Sequence, residues 1–178
     1  QIFDGTIRYN LTYGLFPEDK KSITDDELWK VMRHLQIDFG DRLTEGLDTL
    51  VGKNGLKLSG GQAQRLMIGA AVMKKPWLLI VDEATASLDS TTEKLVQRGL
   101  ETALSGNTSA LIVAHRLSTV RHLCNKFVVL KPISEIKNGD SQVEAVASSF
   151  EELYAISPTF RRLADDQGVL MQSVRSPV

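Results

Sequence analysis

The sequence has 178 residues, enough for one domain with a hydrophobic core, and its 42% hydrophobic and 24% charged content is ordinary for a globular protein. Its 21 basic and 22 acidic residues give a formal net charge of -1, which argues against a nucleic-acid-binding surface. The single cysteine, Cys124, excludes an internal disulfide, and no apolar stretch reaches the ~18–20 residues of a membrane-spanning helix.

The first residues do not have the features of a protein start. Residues 1–5 (QIFDG) include neither an initiator methionine nor the basic segment of a signal peptide. We therefore expect the sequence to begin inside a longer protein.

Helix signals dominate the region before Pro76. Thr24 and Glu27 have capping-box spacing, and the apolar residues that follow them at helical spacing predict a helix. A second helix is predicted over residues 59–75, which are rich in Leu, Met, Ile and Ala and stop at Pro76. This region is therefore predicted to be mainly helical.

Three apolar segments after Pro76 predict strands. Residues 77–81 (WLLIV) form a nearly continuous apolar run, typical of a strand buried on both faces in a parallel sheet. Residues 110–113 (ALIV) and 127–130 (FVVL) are similar, and a capping box at residues 90–93 opens a helix between the first two strands. This alternation predicts an α/β fold with a layered sheet and right-handed crossovers.

The tail is predicted to be helical, with a frayed, polar end. Ser149 and Glu152 have capping-box spacing, and Pro158 predicts a break. We therefore expect three parts: residues 1–75 as a helical subdomain, residues 76–132 as part of a sheet-containing core, and residues 133–178 as a partly flexible tail.

A Ser-Gly-Gly sequence opens the helix predicted at residues 59–75. Ser59, Gly60, Gly61 and Gln62 lie at its N-terminus, where free backbone N–H groups and the helix dipole favour an anion. Taken alone, these residues are equally compatible with an ordinary turn.

Two adjacent acids end the first predicted strand. Asp82 and Glu83 lie at its carboxyl end, where parallel α/β sheets place ligands. One can hold hydrated Mg²⁺, and the other can polarise an attacking water. His115 follows the second strand, where it can reach a phosphate or orient that water. The alternative is a strand that merely ends in two solvated acids.

In order and spacing, these segments resemble the motifs of ABC ATPases. Residues 58–62 (LSGGQ) resemble the ABC signature, and residues 78–83 (LLIVDE) resemble the Walker B motif. Residues 87–89 (SLD) resemble the D-loop, and His115 resembles the switch histidine. The resemblance covers about residues 2–130.

Other segments are similar to the exporter members of that family. Residues 2–8 (IFDGTIR) resemble the segment after the Q-loop, and residues 114–120 (AHRLSTV) resemble the exporter form of the switch region. Residues 51–55 resemble the coupling segment before the signature, but Lys53 and Asn54 stand where Glu and Arg are usual.

The resemblance implies an α/β fold: a partial P-loop NTPase (RecA-like) parallel sheet with helices on both faces, preceded by a mainly helical signature subdomain. It implies ATP and Mg²⁺ as ligands, a second cassette in a head-to-tail dimer, and an exporter transmembrane domain as partners. The resemblance also implies a role for each site residue. Ser59, Gly60 and Gly61 would contact the partner's ATP, with Gln62 nearby. Asp82 would bind Mg²⁺ through water, Glu83 would act as the general base, His115 would bind the γ-phosphate, and Asp89 would couple the two sites.

The sequence has no phosphate loop of the form G-x-x-x-x-G-K-[ST]. Residues 46–54 come near to that pattern but are one residue too long and end in Asn, so we reject them. Without the strands that would flank its own, this segment is expected to have uncovered apolar faces and to be unable to hydrolyse ATP alone.

The leading interpretation is therefore an ATP-hydrolysing domain of an ABC exporter on the cytoplasmic face of a membrane. A first alternative is a non-catalytic orphan fragment or binding module that contributes only a signature motif. A second is a soluble ABC ATPase acting in translation or DNA maintenance, which the near-neutral charge and the exporter-like segments disfavour. The transported substrate does not follow from these residues.

Overall fold

The structure, a computed structural model, describes residues 1–83, 90–104 and 106–169. Asp89 and the rest of the predicted D-loop lie outside these residues, as does the predicted frayed end after residue 169. Among the described residues, no helix combines the length and apolarity needed to cross a bilayer. The chain divides into two units, Gln1–Ala114 and His115–Val178.

The first unit begins with helices and short strands and ends with a pair of longer strands. Its helices are α1 (Ile7–Thr12), α2 (Pro17–Ser22), α3 (Asp25–His34), α4 (Gly60–Met73) and α5 (Ser90–Ala103). Its strands are β1 (Gly5–Thr6), β2 (Leu50–Val51), β3 (Leu78–Asp82) and β4 (Ser109–Val113). Strands β1 and β2 pair antiparallel, and β3 and β4 pair parallel.

Helix α3 confirms the predicted capping box. The Thr24 hydroxyl accepts a hydrogen bond from the Glu27 N–H (3.3 Å), and the Glu27 carboxylate accepts one from the Thr24 N–H (2.9 Å). Arg8 of α1 donates to the carboxylates of Asp25 (2.5 Å) and Asp48 (2.9 Å), which joins α1 to the start of α3 and to the turn before β2. The hydrogen bonds that Arg8 donates to Asp25 and Asp48 raise the pKa of its guanidinium.

Helix α4 lies against α1, α3 and α5. Leu66 is fully buried on it, and Gly69 allows α1 and α3 to come close. A Cβ added at Gly69 would lie 2.8 Å from Leu11 Cδ2 and 3.3 Å from Leu35 Cδ1. The predicted helix over residues 59–75 therefore forms and packs against α1, α3 and α5.

Strands β3 and β4 form the predicted parallel pair, but one face of it is uncovered. In the register, Ile80 lies opposite Leu111, and their side chains are 64% and 56% exposed, whereas Val81 on the other face is buried. The prediction that this strand is buried on both faces is wrong, because nothing in the described part of the chain covers the face with Ile80. The uncovered apolar face itself was expected.

The second unit contains helices α6 (Leu117–Val120), α7 (Phe150–Ile156) and α8 (Pro158–Asp166) and strands β5 (Phe127–Leu130) and β6 (Val143–Ala147). The third predicted strand therefore forms, but its described pairing is antiparallel with β6, a strand that we did not predict. The parallel sheet of three successive strands is corrected to a parallel pair in the first unit and an antiparallel pair here.

The break at Pro158 is confirmed, and the capping box in the tail is confirmed in part, because the Glu152 carboxylate accepts from the Ser148 N–H (2.8 Å) instead of the Ser149 N–H. The Ser149 hydroxyl accepts from the Glu152 N–H (3.2 Å) at the start of α7, and Pro158 is the first residue of α8. The Phe150 and Phe160 rings of these two helices meet edge to face, with centroids 5.0 Å apart.

Glu144 of β6 connects the sheet to the start of α8. Its carboxylate accepts hydrogen bonds from the hydroxyl of the buried Ser157 (2.6 Å) and from both the N–H (3.0 Å) and the hydroxyl (2.5 Å) of Thr159. Partial burial raises the pKa of Glu144, but these hydrogen bonds outweigh it and hold the pKa below its ordinary value. The charged form of Glu144 therefore stabilises the folded second unit.

We expect Glu144→Gln to lower the free energy of unfolding at pH 7 by about 1–2 kcal/mol, because an amide nitrogen would face a hydrogen-bond donor. In the wild type, the contribution of Glu144 is present above the ordinary pKa of 4.5 and is lost as the pH falls through the lower folded-state pKa. Urea denaturation followed by circular dichroism between pH 7 and pH 3 measures both effects.

Glu135→Gln is the matched control in the same unit. Glu135 pairs with Arg162 at 3.2 Å, and about half of each side chain is exposed, so we expect a loss below about 1 kcal/mol. Equal losses from the two substitutions would show that the contacts of Glu144 contribute no more than a surface ion pair.

Candidate functional site

The N-terminus of α4 is an exposed helix start with a complete capping box. The Ser59 hydroxyl accepts from the Gln62 N–H (3.2 Å), and the Gln62 side-chain oxygen accepts from the Ser59 N–H (3.0 Å). Hydrogen bonding along the helix begins at the Ala63 N–H, so the N–H groups of Gly60 and Gly61 have no acceptor within it. Ser59 and Gly60 are exposed, and such a helix start favours an anion.

Gln62 also fixes the loop that precedes the site. Its amide nitrogen donates to the Asp38 carbonyl (2.9 Å), and its oxygen accepts a further hydrogen bond from Arg42 (3.3 Å). The Gln62 side chain therefore has a structural role, because it holds the Ser59 backbone and the 38–42 loop in one arrangement.

Gly61 marks the closest approach of α4 to α5. It is buried, and a Cβ added there would overlap the Cγ2 methyl of Thr92 in the first turn of α5. Sequence reasoning did not identify Thr92 as part of this site, because no local signal connects residues that far apart. Gly61 is thus required by packing between the two helices, whatever its N–H group binds.

Arg65 lies one turn further along α4 and is 94% buried. Its Nη1 lies 3.5 Å from where a Gly61 Cβ would stand, and neither Nη1 nor Nε has a hydrogen-bond partner among the described residues. Burial lowers the pKa of this guanidinium. The guanidinium stays protonated, so Arg65 adds to the positive potential at the start of α4, a feature that the sequence motif did not reveal.

Asp82 and Glu83 are both exposed at the carboxyl end of β3, as predicted. Glu83 has a left-handed backbone (φ 46°), and its N–H donates to the Val113 carbonyl of β4 (2.9 Å). A left-handed backbone in a residue with a Cβ costs on the order of 1 kcal/mol and is common at functional sites. The hydrogen bond to β4 thus holds Glu83 in a strained position.

The carboxylate of Asp82 is of the type that binds Mg²⁺ through water. Among residues 1–83, 90–104 and 106–169, no three His, Cys, Asp or Glu side chains cluster in a way that would hold an ion directly. The exposed Asp82 carboxylate suits an ion that keeps most of its own waters.

His115 is the first residue of the second unit and is exposed. Its carbonyl accepts a hydrogen bond from the side-chain nitrogen of Gln167 (2.5 Å), at the end of α8. Of the predicted site residues, the structure brings together Ser59, Gly60, Gly61 and Gln62 at one helix start and Asp82 and Glu83 at one strand end.

Residues 51–55 are joined to the start of the chain through Asp4. Its carboxylate accepts from the Asn54 backbone N–H (3.0 Å) and from the Asn54 side-chain amide (2.5 Å). Asn54, one of the two departures from the usual exporter residues, thus has a defined partner in this chain, whereas Lys53 is exposed.

Comparison with known proteins shows similarity to ABC transporters over both units. The family model described as "ABC transporter" matches residues 4–86. A multidrug resistance ABC transporter ATP-binding and permease protein of Lactococcus lactis is 43% identical over 155 residues, which cover 86% of this chain and 25% of that protein. An ATP-dependent lipid A-core flippase of Thiobacillus denitrificans is 39% identical over 158 residues, or 87% of this chain and 26% of the relative.

A third relative is similar over a shorter stretch. The multidrug resistance protein sirA of Leptosphaeria maculans is 45% identical over 131 residues, which cover 73% of this chain and 10% of that protein. The chain thus spans about a quarter or less of the length of these relatives.

We expect Gly61→Ala to destabilise the first unit by about 1–3 kcal/mol, because the new methyl group would overlap Thr92 Cγ2 and separate α4 from α5. Adding Thr92→Ser removes that methyl group, keeps the hydroxyl, and should restore most of the loss. Urea denaturation of the two single variants and the double variant measures this coupling.

Gly106→Ala is the control, because no atom lies within 4 Å of a Cβ at that position. A double variant no more stable than Gly61→Ala would show that contact with Thr92 is not the cause.

We expect Glu83→Gly to be more stable than Glu83→Ala by about 1 kcal/mol, because glycine adopts the left-handed backbone without a Cβ penalty. Both substitutions remove the carboxylate, so their difference in unfolding free energy isolates the backbone strain. Asp82 does not have a positive φ, so the order should reverse there, with Asp82→Ala more stable than Asp82→Gly. The same order at both positions would contradict the strain at Glu83.

Proposed function

The chain belongs to the ABC transporter family, and we propose that it is the C-terminal part of the ATP-hydrolysing cassette of an exporter. The observation that carries this proposal is the exposed start of α4, where the N–H groups of Gly60 and Gly61 have no acceptor within the helix. Such groups at the positive end of a helix suit a phosphate.

In this proposal, the start of α4 binds the γ-phosphate of an ATP held by the phosphate loop of a second cassette, head to tail. Ser59, Gly60 and Gly61 provide the contact, and Gln62 keeps their backbone in place through its hydrogen bonds to Ser59 and Asp38. Phosphoryl transfer depends mainly on positioning and on charge stabilisation, which a fixed helix start provides without rearrangement.

The other site residues act on the ATP of their own cassette. Glu83 accepts the proton of the attacking water, and its strained backbone fixes the point from which its carboxylate extends. Asp82 holds water molecules of the Mg²⁺ shell, and the ion, when bound, neutralises phosphate charge. His115 binds the γ-phosphate, and Asp89 couples the two sites.

We propose an exporter membrane domain as the second partner, which places the cassette on the cytoplasmic face of a membrane. The Lactococcus lactis relative is named as both an ATP-binding and a permease protein, which supports this assignment. Functionally, we divide the chain into a signature subdomain at residues 1–75, part of a RecA-like core at residues 76–132, and a tail at residues 133–178.

A second candidate is a non-catalytic module that only contributes its signature to a complete cassette. It is favoured by one observation: the start of α4 is formed, with its capping box complete, by residues of this chain alone. The two candidates differ in whether Glu83 matters for hydrolysis.

The test is a titration of a fluorescent ATP analogue with Mg²⁺ in the presence of a complete partner cassette. The partner carries its own phosphate loop and an inactivated signature, so that it cannot pair with itself around ATP. We expect addition of the 178-residue chain to tighten binding at least tenfold, and Ser59→Arg to abolish this gain, because a bulky cation would block the start of α4. Glu83→Gln should leave the gain unchanged.

ATP hydrolysis is then measured on a longer protein, in which the part of the cassette that precedes residue 1 is joined to this chain. Glu83→Gln is expected to abolish turnover while ATP still binds, as a general base requires. Normal turnover in that variant would favour the non-catalytic module. Tight ATP binding by the 178-residue chain alone, or no gain with the partner while the chain is folded, would contradict the composite site.

A further inference from the structure

The side chain of Gln167 connects the end of α8 to the backbone on both sides of Arg116. Its Oε1 accepts a hydrogen bond from the Leu117 N–H (3.0 Å), and its Nε2 donates to the His115 carbonyl (2.5 Å). The two backbone groups lie 50 and 52 residues before Gln167 in the sequence. A single amide thus holds the residue proposed to bind the γ-phosphate and the first residue of α6.

The short helix α6 needs such a partner. It has four residues, and its N-cap, Arg116, makes no side-chain capping hydrogen bond. Leu117 is 4% exposed, so its N–H group would lose its acceptor if the Gln167 oxygen were removed. The Gln167 amide therefore acts as a cap that is supplied from outside the helix.

Only an amide of this length suits the position. It offers one acceptor and one donor to a backbone donor and a backbone acceptor. A carboxylate of the same length keeps the bond to the Leu117 N–H but sets an oxygen against the His115 carbonyl. Asparagine is shorter by one methylene and cannot reach both groups from the same backbone position.

Gln167 is itself held in place. It follows the last residue of α8, and its N–H donates to the Leu163 carbonyl (3.2 Å). The next residue, Gly168, has a left-handed backbone (φ 62°), and the N–H after it donates to the Ala164 carbonyl (2.9 Å), which ends the helix in the usual glycine-containing turn. At its other end, α8 is fixed by Glu144, so the amide extends from a helix secured at both ends.

We propose that Gln167 is a positioning residue that fixes the backbone of His115 and, through it, the imidazole. This inference rests on the proposed function, in which His115 binds the γ-phosphate. The imidazole extends from the backbone whose carbonyl accepts from Gln167, so a shift of that backbone moves the ring. The C-terminal helix thereby contributes to hydrolysis without touching the nucleotide.

The first measurement tests the hydrogen bonds in the 178-residue chain and needs no nucleotide. Amide hydrogen exchange at Leu117 is expected to be about tenfold faster in Gln167→Ala and Gln167→Asn than in the wild type, with no change in β6. Gln142→Glu changes an exposed glutamine of the same unit and should leave exchange at Leu117 unaltered. Unchanged exchange in the Gln167 variants would overturn the proposal.

The second measurement tests action through His115, with the upstream part of the cassette restored. Gln167→Ala and Gln167→Glu are expected to lower kcat of ATP hydrolysis about tenfold with little change in KM. In a His115→Ala background, adding Gln167→Ala should lower kcat no further, because a residue that acts through His115 has nothing left to position. A further tenfold loss in that background would overturn the proposal.

These readouts separate failure of the inference from failure of the proposed function. Faster exchange at Leu117 with kcat unchanged in the Gln167 variants, while His115→Ala lowers kcat but leaves it measurable, would refute the positioning role alone. If His115→Ala also hydrolyses ATP normally, the role proposed for His115 fails, and the inference fails with it. Loss of circular dichroism in Gln167→Ala would shift the test to Gln167→Glu, which keeps the cap of α6.

Discussion

Close packing of helices at glycine residues is the constraint on which the first unit depends. Helix α4 lies against α1, α3 and α5, and where those helices come nearest it carries Gly61 and Gly69. Any Cβ at Gly61 would overlap Thr92, and one at Gly69 would meet Leu11. Interior packing therefore sets the position of the exposed start of α4, so the backbone groups proposed to bind phosphate are fixed before any ligand arrives.

A glutamine amide performs the same task in each unit. Gln62 accepts from the Ser59 N–H and donates to the Asp38 carbonyl, while Gln167 accepts from the Leu117 N–H and donates to the His115 carbonyl. In both cases the amide satisfies one backbone donor and one acceptor beside a residue proposed to contact ATP. An uncharged group can do this without repelling a nearby phosphate, whereas a carboxylate would add negative charge.

The sequence predicted features that depend on neighbouring residues and missed those that depend on distant ones. A capping box identified the start of α3, the Ser-Gly-Gly sequence identified the start of α4, and apolar runs identified β3, β4 and β5, because these signals lie within a few residues of each other. The pairing of β5 with β6 was missed, since the partner of a strand is chosen by packing. Likewise, nothing near Gln167 indicates that its amide reaches His115. The left-handed backbone of Glu83 has no sequence signal, because glutamate is not a residue that favours it.

The β3–β4 pair can form, with one apolar face exposed, while the protein is still being synthesised. Both strands and their crossover helix lie within residues 78–113, so the pair can form as soon as that stretch has left the ribosome. Synthesis of such a stretch takes roughly 2–7 s. As long as no other segment covers it, the face with Ile80 and Leu111 is an apolar surface of the kind that molecular chaperones shield during translation.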